Sequence, residues 1–378
     1  MKNIGIITHN FPFKLDDRQN AGIFVSDIAQ EMAVKNKITV YCPIGGGRKK
    51  RQGKVDIINF FTISGNKLSN LKLWNPVDLI RFISFFVGGI YSLPKFMREG
   101  RIKLNLVMWS FPSGVFAYII KKIYGIPYIC WCLGSDIYIY AKKPILKNII
   151  RFILRNSRFI FADGIDLSVE VEKLTGNKCE FVPSVSKAKY KNKSILKVKN
   201  KISLVFIGRM ETVKGPDILL KALKSIQKDI LNFEVHFVGD GTLLNNLKEK
   251  AIDYNISDQI IFHGNINNFQ EISDILTKAD WLVIPSRSDS IPLVFSESMK
   301  CGVPIIASDI PDLKYIINKY KVGKLFKRDD FKDLASIIAQ LPKLTNDQLF
   351  FSKNTKVAVK DFSVEGSVNK IMSFINKI

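Results

Sequence analysis

Short apolar runs alternate with segments of helical period along most of this chain. Ile4 to Thr8, Ile38 to Cys42, Leu104 to Trp109, Tyr128 to Cys132 and Arg158 to Ala162 read as strands. Helices near Phe24 to Ala33 and Gly114 to Ile123 fall between them. The pattern starts again at Ile202 to Ile207 and continues through Phe233 to Val238, Ile260 to Phe262 and Leu282 to Ile284. Helices over Pro216 to Gln227, Leu243 to Ile252 and Glu271 to Thr277 separate these strands. Such alternation argues for parallel βα units, and two such series argue for two tandem Rossmann-like, doubly wound α/β domains. Between the series, residues 187–201 read KAKYKNKSILKVKNK, a lysine-rich stretch with little to bury. The sequence therefore predicts a first domain over 1–186, a linker over 187–201 and a second domain over 202–360. A terminal helix over 361–378 is periodic at Val364, Val368, Ile371, Phe374 and Ile375.

The apolar segment Phe82 to Pro94 is too short to span a bilayer, which needs about 20 residues. Its apolar side chains occupy more than one helical face, so it is a buried core helix or one that touches lipid, and the pattern favours the core. With 378 residues, 47% of them hydrophobic, the chain can bury two cores. Cys42, Cys130, Cys132, Cys179 and Cys301 show no metal or redox spacing and suit a reducing cytosol. The first strand begins at Ile4 without a secretory apolar region before it, so a cytoplasmic chain is expected.

Charge changes this picture. The net +23 is uneven, with 33 Lys/Arg against 13 Asp/Glu in residues 1–200 and 24 against 21 in the remainder. A basic first half points to an anionic partner or to a general lysine bias. No nucleic-acid-binding signature accompanies it, so the partner expected is an anionic membrane surface rather than nucleic acid.

Candidate chemistry gathers in the second half. After the strand ending at Ile207 come Gly208 and Arg209, then Lys214-Gly215 and Pro216 at a helix start. Two cations beside a helix N-terminus form a cradle for a diphosphate, or else a solvated surface loop. Gly239-Asp240-Gly241 lies between the next strand and helix, a signal that a tight turn also explains. In PSRSDSIPLVFSESMKCGVPIIASD, residues 285–309, Asp289 falls in a strand-to-helix loop and Glu297 one turn into the helix. Carboxylates among Ile291, Leu293, Val294 and Phe295 bind a polar ligand or reach solvent.

Together, Gly-Arg with Lys-Gly five residues on, the Gly-Asp-Gly turn, Phe-x-Gly in IIFHGNI, and the 285–309 stretch resemble glycosyltransferase family 4. These are the retaining, sugar-nucleotide-dependent transferases of the GT-B fold. Order and spacing match across the second domain. The resemblance implies an interdomain cleft and a terminal helix that returns to the first domain. It implies that Arg209 and Lys214 bind the diphosphate and that Glu297 holds the ribose. Asp289, Ser290 and the backbone of Ile291, Pro292, Leu293 and Val294 would hold the donor sugar, with Gly208 and Gly239 lining the nucleotide. His263, before a Gly at a strand end, either touches the nucleotide or serves the structure. Asp289 departs from the family's Glu-x7-Glu pattern by one methylene, roughly 1.5 Å of reach, and Ser290 replaces the usual Gly.

In the first half, NFPFKLDDRQNAGIFVSDIAQEM resembles the family's first loop, with Gly22 approaching the donor phosphates. WSFPSGVFAYIIKKIYGIPYICWCLGSDIYIY resembles its P-x-G, G-x-P and H-G-S-D region, with Leu133 in place of the His. Asp136 is then the nearest polar group for an acceptor hydroxyl, or it closes an Asx turn. His9 ends the first strand near the expected cleft, while His236 reads as a strand residue. Asp16-Asp17 and Asp329-Asp330 read as solvated pairs, and no metal or other cofactor is expected where cations carry the diphosphate charge. The implied activity is retaining, metal-independent transfer of a hexose from a nucleotide-diphosphate sugar to a saccharide or lipid-linked acceptor. The site is expected at the cytoplasmic face of a membrane, in envelope polysaccharide or glycolipid synthesis. A non-catalytic nucleotide-sugar-binding or scaffold protein is the alternative.

Overall fold

The computed structural model describes residues 1–12, 22–43, 51–63, 75–185, 201–227 and 233–378. Residues 187–200 of the expected linker, and Asp16 and Asp17, lie outside the described residues. The chain divides into two compact units, Met1–Ser184 with Val364–Ile378, and Val185–Ser363.

The first unit is built on an eight-stranded sheet. Its strands are β1 (Asn3–Ile7), β2 (Lys37–Pro43), β3 (Arg51–Gln52), β4 (Val55–Phe60), β5 (Leu104–Met108), β6 (Tyr128–Cys132), β7 (Ile160–Ala162) and β8 (Cys179–Phe181), in the order β3-β4-β2-β1-β5-β6-β7-β8. All neighbours are parallel except β3 and β4. Ile4 lies opposite both Ile38 and Leu104, which fixes the central register. Every residue of LNLVM in β5 and YICWC in β6 is buried, because helices cover both faces of a parallel sheet. The alternation pattern did not single out β3, β4 or β8; β3 and β8 are short, and polar Asp56 and Asn59 interrupt β4.

The helix Val364–Ile375 belongs to this unit. Lys2 Nζ donates to the Ile375 carbonyl at 2.8 Å and Ser367 Oγ to the Pro183 carbonyl at 2.9 Å. Phe374 meets Phe159 and Phe161 edge-on at centroid distances of 5.1 and 5.3 Å. The chain's end is thereby returned to its first unit, as the family resemblance implied.

The expectation for Phe82 to Pro94 needs correction. The helix runs over Pro76–Gly100, and only Phe85, Gly89, Leu93, Phe96 and Gly100 are buried. These residues form one stripe facing the sheet, where the Tyr41 hydroxyl donates to the Gly89 carbonyl. By length and composition the helix could cross a membrane, yet this stripe is packed in the core and its opposite face is exposed.

The second unit holds a six-stranded, wholly parallel sheet of β9 (Ile202–Ile207), β10 (Phe233–Val238), β11 (Ile260–Gly264), β12 (Trp281–Ile284), β13 (Ile305–Ser308) and β14 (Gly323–Phe326). The order is β11-β10-β9-β12-β13-β14. Chain direction across the sheet reverses between β9 and β12. A crevice therefore opens at the carboxyl ends of these two strands, the place where doubly wound sheets bind ligands.

Candidate functional site

The loops that follow β9 and β12 meet at this reversal. After β9 the chain passes Gly208 and Arg209, makes a single turn over Thr212–Lys214, and enters the helix Pro216–Ser225. After β12 it passes through residues 285–292 into the helix Leu293–Cys301. Neither helix start is capped by a side chain, so their first N–H groups stand available to an anion.

Two glycines set how close the loops come. Gly215 has φ +69°, and a Cβ there would lie 2.0 Å from the Pro285 carbonyl oxygen. Gly239 has φ +134°, and its Cβ would lie 1.9 Å from the Gly208 carbonyl oxygen. Only glycine permits both the backbone angle and the contact at either position. Gly215 is thereby held against Pro285, and Gly239 against Gly208, at the carboxyl edge of the sheet.

Lys214 and Asp289, the two predicted residues of opposite charge, are joined by a direct ion pair. It links the β9 loop to the β12 loop. Both side chains are largely buried, 21% exposed for Lys214 and 15% for Asp289. Ser286 Oγ stands 3.4 Å from the same Asp289 oxygen, and Ser308 Oγ donates to the Ser286 carbonyl at 2.6 Å. Arg209 is exposed on the same edge, and the neighbouring Glu211 is held by the Thr242 N–H and hydroxyl at 3.2 and 2.8 Å. Ser290 and Pro292 are half-buried, Ile291 and Val294 are buried, and Leu293 is exposed. Glu297 is 1% exposed.

Sequence reasoning missed the group that fixes this arrangement, Arg287. Its Nη1 and Nη2 donate to the two oxygens of Asp217 at 2.7 and 2.8 Å, a bidentate fork. Nε donates to Asp329 Oδ1 at 2.9 Å, and Nη1 also reaches the Thr212 carbonyl at 2.6 Å. The Arg287 N–H donates to the Val213 carbonyl at 2.9 Å. Burial alone would raise the Asp217 carboxyl, but the Arg287 hydrogen bonds and charge outweigh it and hold the group below its ordinary value. Asp217, in the first turn after Pro216, reads locally as an ordinary helix-dipole residue. No local signal marks a partner 70 residues away.

The remaining candidates stand elsewhere. His263 lies at a β-bulge, where the register passes from Phe237↔Phe262 to Val238↔Gly264. Its Nε2 is 2.9 Å from His236 Nδ1, and His236 Nε2 is 2.9 Å from Glu234 Oε1, so its ring is engaged within the β10–β11 edge. Desolvation and then His236 lower its pKa. Asp329 pairs with Arg287, and Asp330 caps the helix Phe331–Gln340 through the N–H groups of Lys332 and Asp333. Among the described residues no three His, Cys, Asp or Glu side chains gather to hold a metal ion.

In the first unit, Gly22 caps the helix Ile23–Met32, with its carbonyl accepting from Val25 and Ser26. Asp136 is fully buried. It accepts from the Ser110 N–H and hydroxyl, both at 2.8 Å, and from the Leu133 N–H at 3.2 Å. Desolvation raises its pKa against those bonds. The carboxylate clamps two loops. His9 sits 3.2 Å from Ser113 Oγ and edge-on to Trp109, with burial lowering its pKa to about 4, so the ring is neutral at neutral pH.

Comparison with known proteins agrees with this geometry. Residues 187–358 match the family described as Glycosyl transferases group 1. The chain is 25% identical over 353 residues to an uncharacterized glycosyltransferase of Methanocaldococcus jannaschii, covering 90% of this chain and 96% of that one. It is 25% identical over 287 residues to the UDP-Gal:alpha-D-GlcNAc-diphosphoundecaprenol alpha-1,3-galactosyltransferase of Escherichia coli, covering 69% and 72%. The fold matches the sucrose-phosphate synthase of Thermosynechococcus elongatus with a TM-score of 0.80 at 16% identity, over 100% and 99% of the two chains. Residues 187–358 thus match the Glycosyl transferases group 1 family model, and the chain has the fold of the sucrose-phosphate synthase.

Proposed function

We propose that the protein moves a sugar, with retention at the anomeric carbon, from a nucleotide-diphosphate sugar to a saccharide or lipid-linked saccharide acceptor. The work belongs to cell-envelope polysaccharide or glycolipid synthesis at the cytoplasmic face of a membrane. The observation that carries this reading is the Lys214–Asp289 pair at the reversal of strand order, beside two uncapped helix starts.

Lys214 Nζ and the Arg209 guanidinium stand where a diphosphate would gain negative charge as the bond to the anomeric carbon breaks. Fixed cations and N–H dipoles stabilise that charge without reorganising, the largest single contribution in many enzymes. Asp289 holds Lys214 in place, and the diphosphate competes with it as a second anion. Arg287 acts through position, tying the Asp289 loop to the helix start that faces the phosphates. Glu297 holds the ribose hydroxyls, and the backbone over residues 290–294 holds the donor sugar. These groups supply the electrostatics without a metal. The galactosyltransferase relative, whose name states a nucleotide-sugar donor and a diphosphoundecaprenol acceptor, supports both substrate classes.

The test is incubation with a panel of sugar nucleotides while following nucleotide diphosphate release with and without saccharide acceptors. Acceptor-dependent release is the expected result; tight nucleotide-sugar binding without release would favour a non-catalytic scaffold.

A further inference from the structure

The outward face of the helix Pro76–Gly100 carries a ridge of apolar side chains. Ile80, Ile83, Val87, Ile90 and Tyr91 are 57%, 51%, 62%, 45% and 87% exposed. They lie opposite the buried stripe, and no charged residue interrupts the helix between Arg81 and Lys95. A solvent-facing helix surface is ordinarily polar. An exposed ridge of this kind, on the order of several hundred Å², marks an interaction site.

The ridge has neighbours of the same character. Helices Ser113–Tyr124 and Pro144–Arg155 pack beside this one in turn, with Tyr118 against Phe152 at 4.8 Å. Ile123, Ile145 and Phe152 are 67%, 76% and 49% exposed on them. Lys122, Lys142, Lys143, Lys147 and Arg155 are exposed on the same two helices and on the single turn that leads into the second. Residues 76–158 carry thirteen Lys or Arg against three Asp or Glu, one of which is the buried Asp136.

We propose that this helix layer lies flat on an anionic bilayer, with the Ile80–Tyr91 ridge among the upper acyl chains and the lysines on headgroup phosphates. Apolar and cationic side chains on one surface are what binding in the plane of a lipid interface requires. The buried stripe through Phe85, Gly89 and Leu93 keeps the helix on its sheet, so it lies in the interface and does not span it. A second copy of the chain would set like charge against like charge. Nucleic acid would satisfy the lysines and leave the ridge in water. The proposal names the membrane surface in the functional reading above and rests on it for the orientation toward a lipid-linked acceptor.

The test is co-sedimentation of the full chain with phosphatidylcholine vesicles and with vesicles containing about one-third phosphatidylglycerol, at low and high salt. At low salt, binding to the anionic vesicles is expected to exceed binding to neutral ones at least tenfold, with a fraction persisting at high salt. Ile83→Ser with Val87→Ser is expected to abolish the persistent fraction. Lys142→Glu with Lys147→Glu is expected to lower the low-salt binding about tenfold. Equal and negligible binding to both vesicle types, or binding unchanged in both double variants, would overturn the proposal. So would a lipid-free dimer in light scattering that the Ser variants dissociate. Nucleotide diphosphate release without vesicles, read on the same proteins, separates the two readings. Release retained while vesicle binding is lost supports the docking surface, and vesicle binding without release leaves docking standing while transfer fails.

Discussion

Replacing Arg287 by Ala removes a fork that joins three segments of the second unit. The side chain is 23% exposed and its partner Asp217 21%, whereas Asp329 is 60% exposed and contributes little. The bidentate pair with Asp217 and the bond to the Thr212 carbonyl therefore dominate. Hydrogen bonds to charged groups contribute roughly 1.5–3 kcal/mol, and bonds sharing one guanidinium act as a coupled unit rather than adding. The variant is expected to lose about 2–3 kcal/mol, or roughly 5–10 °C in melting temperature for a unit of this size. Asp217 has a folded pKa below its ordinary 3.8, so its stabilisation is full above that value and is lost as pH falls through the depressed folded pKa. The gap between wild type and variant should be constant near neutral pH and close in acid. Denaturant unfolding of wild type, Arg287→Ala, Asp217→Ala and the double variant measures both the loss and the coupling. A coupling energy near zero, or a gap that does not narrow in acid, would refute the reasoning.

Gly239→Ala should destabilise the second unit by more than about 2 kcal/mol, since the methyl meets the Gly208 carbonyl at a left-handed backbone angle; denaturant titration reads it. Glu297→Ala should weaken binding of the free nucleotide by roughly 1.5–3 kcal/mol, the worth of a charge-assisted hydrogen bond, and calorimetry checks this. EDTA should leave turnover intact; loss of activity restored by magnesium or manganese would show that a metal carries the diphosphate charge.

The two sheets were legible because their central strands carry uninterrupted apolar runs, as in YICWC and LVFI. Edge strands such as Gly323–Phe326 are short and partly exposed, and their pattern carries less signal. The helix Pro76–Gly100 misled for a physical reason. Two apolar faces look alike in sequence whether the second is buried or in solvent, and only packing separates them. In the site, Lys214 and Asp289 could be read from their places after strands, but their contact could not. Arg287 was hidden in a quoted motif because its partners come from distant turns. The Ser110 donors of Asp136 lie 26 residues away and leave no local trace in the sequence.

The central claim is that Lys214 and Arg209 form the cation set for a departing nucleotide diphosphate. The most direct measurement is release of nucleotide diphosphate from a panel of sugar nucleotides by wild type, Lys214→Ala and Arg209→Ala. The account predicts acceptor-dependent release by wild type with at least one donor, and about a hundredfold loss of turnover in each variant. Release at near-normal rates in both variants, or no turnover of any donor by wild type, would contradict it.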